Sequence, residues 1–163
     1  MGYTGPVLLA SEHVLTGFDC GKPPLNQWLT ERALTNQASG TSRTWVVIDD
    51  ETARVVGFYA SATGSILRSE VTSRLRRNQP EEIPVIILGR LAVDEKHARR
   101  GPGSALLKHA MLKAIEVRQS VGVRLMLVHA KDEEAKAFYE RYDFMPSPVD
   151  DLTLMMVLPE YLF

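Results

Sequence analysis

The sequence predicts an α/β protein, a mixed central sheet with helices packed on it. Three observations carry this reading. The first half is rich in strand patterns, with residues 44–48 and 54–60 flanking the turn-forming Asp49-Asp-Glu-Thr52. Residues 84–93 form a nearly unbroken apolar run, typical of a central strand buried on both faces. From there the pattern alternates strand, helix, strand, helix, strand.

In chain order, Val7-Leu-Leu-Ala10 reads as a short first strand. Gly21-Lys-Pro-Pro24 breaks the chain, and residues 25–36 read as a helix with Leu25, Trp28, Leu29 and Ala33 on one face. The segments 44–48 and 54–60 form a hairpin. Residues 67–82 are polar and hold Asn78-Gln-Pro80, so a loop with one short helix is expected. After the 84–93 strand, residues 104–118 carry Leu106, Leu107, Ala110, Met111 and Ala114 as an apolar helical stripe. Residues 123–128 are the next strand. Asp132 suits the N-cap of the following helix, and Glu133 and Glu134 its positive end. Ala135, Phe138, Tyr139 and Tyr142 then recur at spacings of three and four, and residues 152–158 form the last strand.

A chain of 163 residues is expected to be a single domain, 1–163, with a sizeable core. With 45% hydrophobic and 24% charged residues and a net charge of −1, nothing draws the whole molecule toward nucleic acid or membrane. Charge is uneven locally. Arg68, Arg74, Arg76 and Arg77 fall within ten residues, and Lys96, Arg99 and Arg100 cluster further on; such runs serve equally as solvated faces or as RNA- or phosphate-binding patches. The one cysteine, Cys20, allows no intramolecular disulfide and no thiolate-rich zinc site, which suits a reducing cytoplasm. No signal peptide or bilayer-length apolar run is present, and Pro6 stands where a myristoylation signal needs Ser or Thr. A cytoplasmic protein with no membrane partner and no metal is expected.

The most informative stretch is the 84–93 strand, the turn Asp94-Glu-Lys-His-Ala-Arg-Arg-Gly-Pro-Gly-Ser104 and the helix behind it. A strand feeding a basic, glycine-bearing turn that opens into a helix presents backbone N–H groups to an anion such as a pyrophosphate. Around it stand Gly89-Arg-Leu-Ala-Val-Asp94, Val128-His-Ala130, Lys131-Asp-Glu-Glu-Ala-Lys-Ala-Phe-Tyr139 and Phe144-Met-Pro-Ser-Pro148, with Phe18-Asp-Cys-Gly21 and Leu25-Asn-Gln-Trp-Leu29 upstream. These blocks, in this order and over essentially the whole chain, resemble the GNAT N-acetyltransferases. Within that family they resemble the toxins of type II toxin–antitoxin modules.

The resemblance implies an acetyl-CoA-dependent enzyme that acetylates the α-amine of aminoacyl-tRNA and so inhibits translation. It implies a ribbon-helix-helix antitoxin, operator DNA bound only through the antitoxin complex, and a homodimer. Carried onto this sequence, the pyrophosphate would lie on Arg99, Arg100, Gly101, Gly103, Ser104 and Ala105. The thioester and pantetheine arm would lie along Leu91, Ala92 and Val93, with Phe138 nearby. Tyr139 would protonate the departing thiolate, since a phenol of pKa about 10 keeps its proton at neutral pH. Arg68, Arg74, Arg76, Arg77 and Arg90 are candidates for the tRNA backbone, Arg90 being alternatively the partner of a buried acid. A free α-amine has a pKa near ~7.7–8.0, so no strong base is required and His129 reads as structural. Trp28, Trp45 and Phe58 read as core.

Two positions depart from the family pattern. Ala98 stands where the turn usually has Gln or Arg, and Pro102, between the two glycines, has no N–H to give. Two other readings therefore stand beside the toxin. One is an N-acetyltransferase for a small amine, peptide or protein N-terminus; the other is a weakly active acetyl-CoA-binding module.

Overall fold

The computed structural model describes residues 2–160. The strands are β1 (Tyr3–Leu8), β2 (Arg43–Asp49), β3 (Val55–Leu67), β4 (Glu82–Val93), β5 (Leu125–His129), β6 (Met145–Pro146) and β7 (Thr153–Val157). The helices are α1 (Pro23–Glu31), α2 (Ala33–Ala38), α3 (Ser73–Arg76), α4 (Pro102–Arg118) and α5 (Glu133–Glu140), with 3-10 turns at Arg68–Glu70 and Glu95–His97. The strands hydrogen-bond in the order β1-β2-β3-β4-β5-β7-β6. The sheet is mixed, because β4 and β5 run parallel while the other described pairs are antiparallel.

Several boundaries differ from the sequence expectation. The first strand begins at Tyr3 and ends at Leu8, whereas Leu9 is buried after it and accounts for the apolar signal there. The helix expected over 25–36 is two helices that meet at Arg32, whose backbone (φ −120°) departs from helical geometry. β3 runs on past residue 60, the expected end of that strand, to Leu67. α4 begins at Pro102, two residues early, since proline is well placed in a first turn. β6, two residues long, is too short to leave a pattern.

The chain forms two compact units. The first takes residues up to Ala62 and adds Gly89–Ala110; the second takes Thr63–Leu88 and residues from Met111 on. In the first, Leu29, Ala33, Val46, Phe58, Ala60 and Ala92 form a core with Trp28 and Phe18, so α1 and α2 cover that face of the strands. Phe58 stacks on Trp28 at 6.0 Å. On the opposite face, Gly57 lets the start of α4 come close, because a Cβ there would lie 3.0 Å from Leu106 Cδ1. Tyr59, two residues on, is fully buried; its hydroxyl shares a 2.8 Å hydrogen bond with His109 Nδ1. Trp45, opposite Tyr59 in β2, packs its ring 4.6 Å from that of His109. Leu106 and His109 thus fix α4 on the sheet and with it the turn that precedes it.

In the second unit Ile66, Val71, Leu75, Ile83, Val85, Leu125, Leu127 and Met155 make the core. Its center is the parallel pair β4/β5, in register from Val85–Leu125 to Leu88–Val128. β4 continues five residues beyond that register to Val93, while β5 continues only to His129.

Candidate active site

The turn after β4 is built by one buried carboxylate. Asp94 accepts from the Lys96 amide (2.9 Å) as cap of the 3-10 turn and from the Asp19 amide (3.0 Å). The Glu95 amide returns a bond to the Asp19 carbonyl (2.9 Å). These bonds tie the turn to the Asp19-Cys20-Gly21 loop that leads into α1. Asp19 also accepts from Gly21 N and Asn26 Nδ2, bonds that hold its carboxyl below the usual range. A second brace comes from β1, where Tyr3 Oη and His97 Nδ1 lie 2.9 Å apart with their rings edge to face.

Beyond His97 the backbone turns sharply. Ala98 is exposed, Arg99 has φ +63° and Gly101 has φ +109°. The Arg100 amide bonds to His97 O, and the first helical bond runs from Ala105 N–H to Gly101 O (3.1 Å). The Ala105 amide thus closes the first turn of α4. The amides ahead of that bond belong to Gly101, Gly103 and Ser104, Pro102 having none. No atom lies within 4 Å of where a Gly101 Cβ would be, so this face is open. Lys96, Arg99 and Arg100 are exposed around it. Upstream, Ala92 is buried in the core with only its backbone to offer, while Leu91 and Val93 are half-buried. Leu91, Ala92, Val93, Arg99, Arg100, Gly101, Gly103 and Ser104 thus form one continuous segment within the first unit, suited to an extended ligand ending in an anion.

The second unit holds α5. Asp132 caps it, accepting from the Ala135 amide at 2.8 Å, and Glu133 and Glu134 follow in its first turn. Tyr139 is 5% exposed, with Phe138 and Phe144 rings 5.3 and 5.6 Å away. Burial pushes its phenol pKa well up, which keeps it protonated across the working pH range. Phe138 is half-buried against Tyr142.

The arginine candidates separate. Arg74, Arg76 and Arg77 are exposed on and just after α3. Arg68 leans on the Gln79 carbonyl (3.2 Å) and Glu81 (3.8 Å), which occupies part of its guanidinium. Arg90 belongs to the other unit, where its guanidinium carbon sits 4.2 Å over the Trp28 ring; the observed partner is an aromatic face, and burial lowers its pKa. His129 ends β5, exposed, 3.0 Å from Thr153 Oγ1. Cys20 is buried beside α1, its amide bonded to Asn26.

Sequence reading missed Asp94, Asp19 and the Tyr3–His97 pair. An Asp directly after a strand and two residues before a tight turn is a cap signal that marks Asp94. Nothing local marks Tyr3, 94 residues away from its partner. Among the described residues no group of three or more His, Cys, Asp or Glu is placed to hold a metal, and no helix is long and apolar enough to cross a membrane.

Comparison with known proteins bears on the same segments. Residues 40–146 match the acetyltransferase (GNAT) domain. A tRNA-acetylating toxin of Mycobacterium tuberculosis is 44% identical over 159 residues, 98% of this chain and 95% of the relative. AtaT complexed with acetyl-methionyl-tRNAfMet superposes with a TM-score of 0.85 at 25% identity, covering 93% of this chain and 92% of that one. A tyrosine-to-phenylalanine mutant of AtaT bound to the C-terminus of the antitoxin AtaR gives 0.80 at 25%, covering 93% and 91%.

Proposed function

Because this chain belongs to the GNAT acetyltransferase family, we propose that it carries the acetyl group of acetyl-CoA to the α-amine of an aminoacyl-tRNA, as the toxin of a toxin–antitoxin module. The observation that carries the proposal is the 44% identity to a tRNA-acetylating toxin along nearly the full length of both chains. The turn's open Gly101 face and its exposed cations suit a pyrophosphate. Acetyl-CoA supplies the activated thioester.

In this reading the turn from Arg99 to Ala105, with Arg99, Arg100, Gly101, Gly103, Ser104 and Ala105, holds the anionic end of acetyl-CoA. The backbone from Leu91 to Val93 lies along the pantetheine arm, and Phe138 packs near it. Oriented N–H groups of this kind stabilize charge as it develops on a carbonyl oxygen. Tyr139 donates a hydrogen bond, and in net terms a proton, to the leaving sulfur. Its raised pKa makes it a weak acid but a permanently protonated one. Arg74, Arg76 and Arg77, with Arg68, meet the tRNA backbone through salt-sensitive contacts. Arg90, stacked on Trp28, is assigned a lesser, orienting part.

The whole chain 1–163 acts as one GNAT domain, working in the cytoplasm as a homodimer. A ribbon-helix-helix antitoxin neutralizes it, and operator DNA is bound through that complex. The test is transfer of radiolabelled acetyl from acetyl-CoA to a panel of charged tRNAs. Label on the aminoacyl moiety of one or a few members is expected. No labelled tRNA, with turnover of a small amine or peptide instead, overturns the substrate assignment.

A further inference from the structure

Both ends of the turn between β4 and α4 are fixed. Asp94 is bonded to the Asp19 loop at its start, and Pro102 is buried near Gly57 at its end. Of residues 95–101 between them only His97 is not exposed, and Ala98 beside it has no polar side-chain atom. His97 is also a junction of the backbone. Its amide donates to the Asp94 carbonyl (2.9 Å), and its carbonyl accepts from the Arg100 amide (3.3 Å). Fixing this one residue therefore fixes the chain on both sides of it. Arg99 lies inside the loop that the second bond closes, at φ +63°, a region that residues other than glycine seldom enter.

The His97 ring is held from β1. Tyr3 Oη lies 2.9 Å from His97 Nδ1, and the rings meet edge to face at 5.6 Å. Tyr3 is itself well anchored. It pairs with Asp49 of β2, and its two neighbors are both tied to Asp50: the Asp50 amide donates to Gly2 O (3.0 Å), and Thr4 Oγ1 donates to Asp50 Oδ1. Tyr3, His97 and the segment from Arg99 to Ser104 all belong to the first unit.

We propose that Tyr3 and His97 are positioning residues for the pyrophosphate of acetyl-CoA. They act through the backbone. The pair sets the course of the chain from His97 to Gly101, and with it the aim of the amides from Gly101 onward and the reach of Arg99 and Arg100. This rests on the acetyl-CoA reading of the turn given above. Donors already aimed at an anion need no ordering when it binds; without the brace the ligand itself must order the turn, and affinity falls by that cost. The pantetheine arm, placed along Leu91 to Val93, is held by β4 and does not depend on the brace.

The test uses the full-length enzyme on its charged tRNA. Tyr3→Phe keeps the ring and strips the hydroxyl. It raises the KM for acetyl-CoA about 2- to 10-fold with kcat unchanged, the range of one intramolecular hydrogen bond. The competitive Ki of ADP, which carries a pyrophosphate without the pantetheine arm, rises by the same factor. The Ki of pantetheine, the arm without the pyrophosphate, does not move, a split that a general loss of structure would not give. His97→Ala weakens ADP at least as much as Tyr3→Phe does. His97→Asn, which offers an amide oxygen in the place of Nδ1, recovers most of the affinity. A Tyr3→Phe enzyme with wild-type KM and wild-type ADP Ki, or one in which the ADP and pantetheine Ki values rise together, overturns the assignment. ADP that does not compete with acetyl-CoA on the wild type overturns the placement of the pyrophosphate on this turn instead.

Discussion

Gly101→Ala isolates the contribution of a single backbone angle. At φ +109° Gly101 lies well past the left-handed well near about +57° that other residues can enter, so alanine is strained there. No atom is within 4 Å of the new methyl, which removes collision as a cause and leaves backbone strain of about 1–3 kcal/mol. If the turn holds its shape, that strain appears as lost stability, about 2–4 °C of Tm for each kcal/mol in a chain of this size. If the turn relaxes, the Gly101 and Gly103 amides lose their aim, and the same energy appears as a rise of roughly 5- to 150-fold in the KM for acetyl-CoA. Thermal melts with and without acetyl-CoA, beside initial rates at varied acetyl-CoA, measure both. Gly40→Ala is the control: Gly40 also has positive φ (+82°) and open space, but lies in the α2–β2 connection, so only its Tm should fall. A Gly101→Ala protein with unchanged Tm and unchanged KM would refute the argument, because the strain would then have no effect at all.

Tyr139→Phe keeps both ring contacts and is expected to fold normally, with acetyl transfer slowed about 100-fold or more in single-turnover assays; an undiminished rate would remove the phenol from the chemistry. Its pH signature has a definite sign. The folded phenol keeps its proton above pH ~10, where an unfolded tyrosine ionizes, so its contribution is complete below pH ~10 and declines as pH rises further. Urea midpoints should fall less steeply above pH ~10 in Tyr139→Phe than in the wild type. Asp94→Ala strips the acceptor from two amides at a buried position and should cost roughly 1–3 kcal/mol by urea denaturation, with Asp94→Asn intermediate.

What the sequence disclosed follows the range of the interactions involved. The β4–turn–α4 segment was legible because strand, turn and helix are contiguous and each leaves a local pattern. The Asp132 cap was legible for the same reason, since its bond to Ala135 spans three residues. The break at Arg32 was not, because neither glycine nor proline marks it and Arg32 still bonds to Trp28 O. The bond from the Ala105 amide to Gly101 O was not legible either, because the register of the first helical bond depends on where the helix starts. The place of Arg90 over the Trp28 ring follows from β4 passing beside α1, which no spacing encodes. The bond between His129 and Thr153 was not legible, since the two residues are 24 apart in sequence.

The interleaving of the two compact units bears on how the protein is made. The first unit closes only with Gly89–Ala110, and by then the ribosome has already released Thr63–Leu88, which must wait for partners from Met111 onward. Neither unit is a continuous piece of chain, so the contacts that close each join segments far apart in sequence. During synthesis the second unit, which carries Tyr139, can close only after the segment that completes the first has emerged.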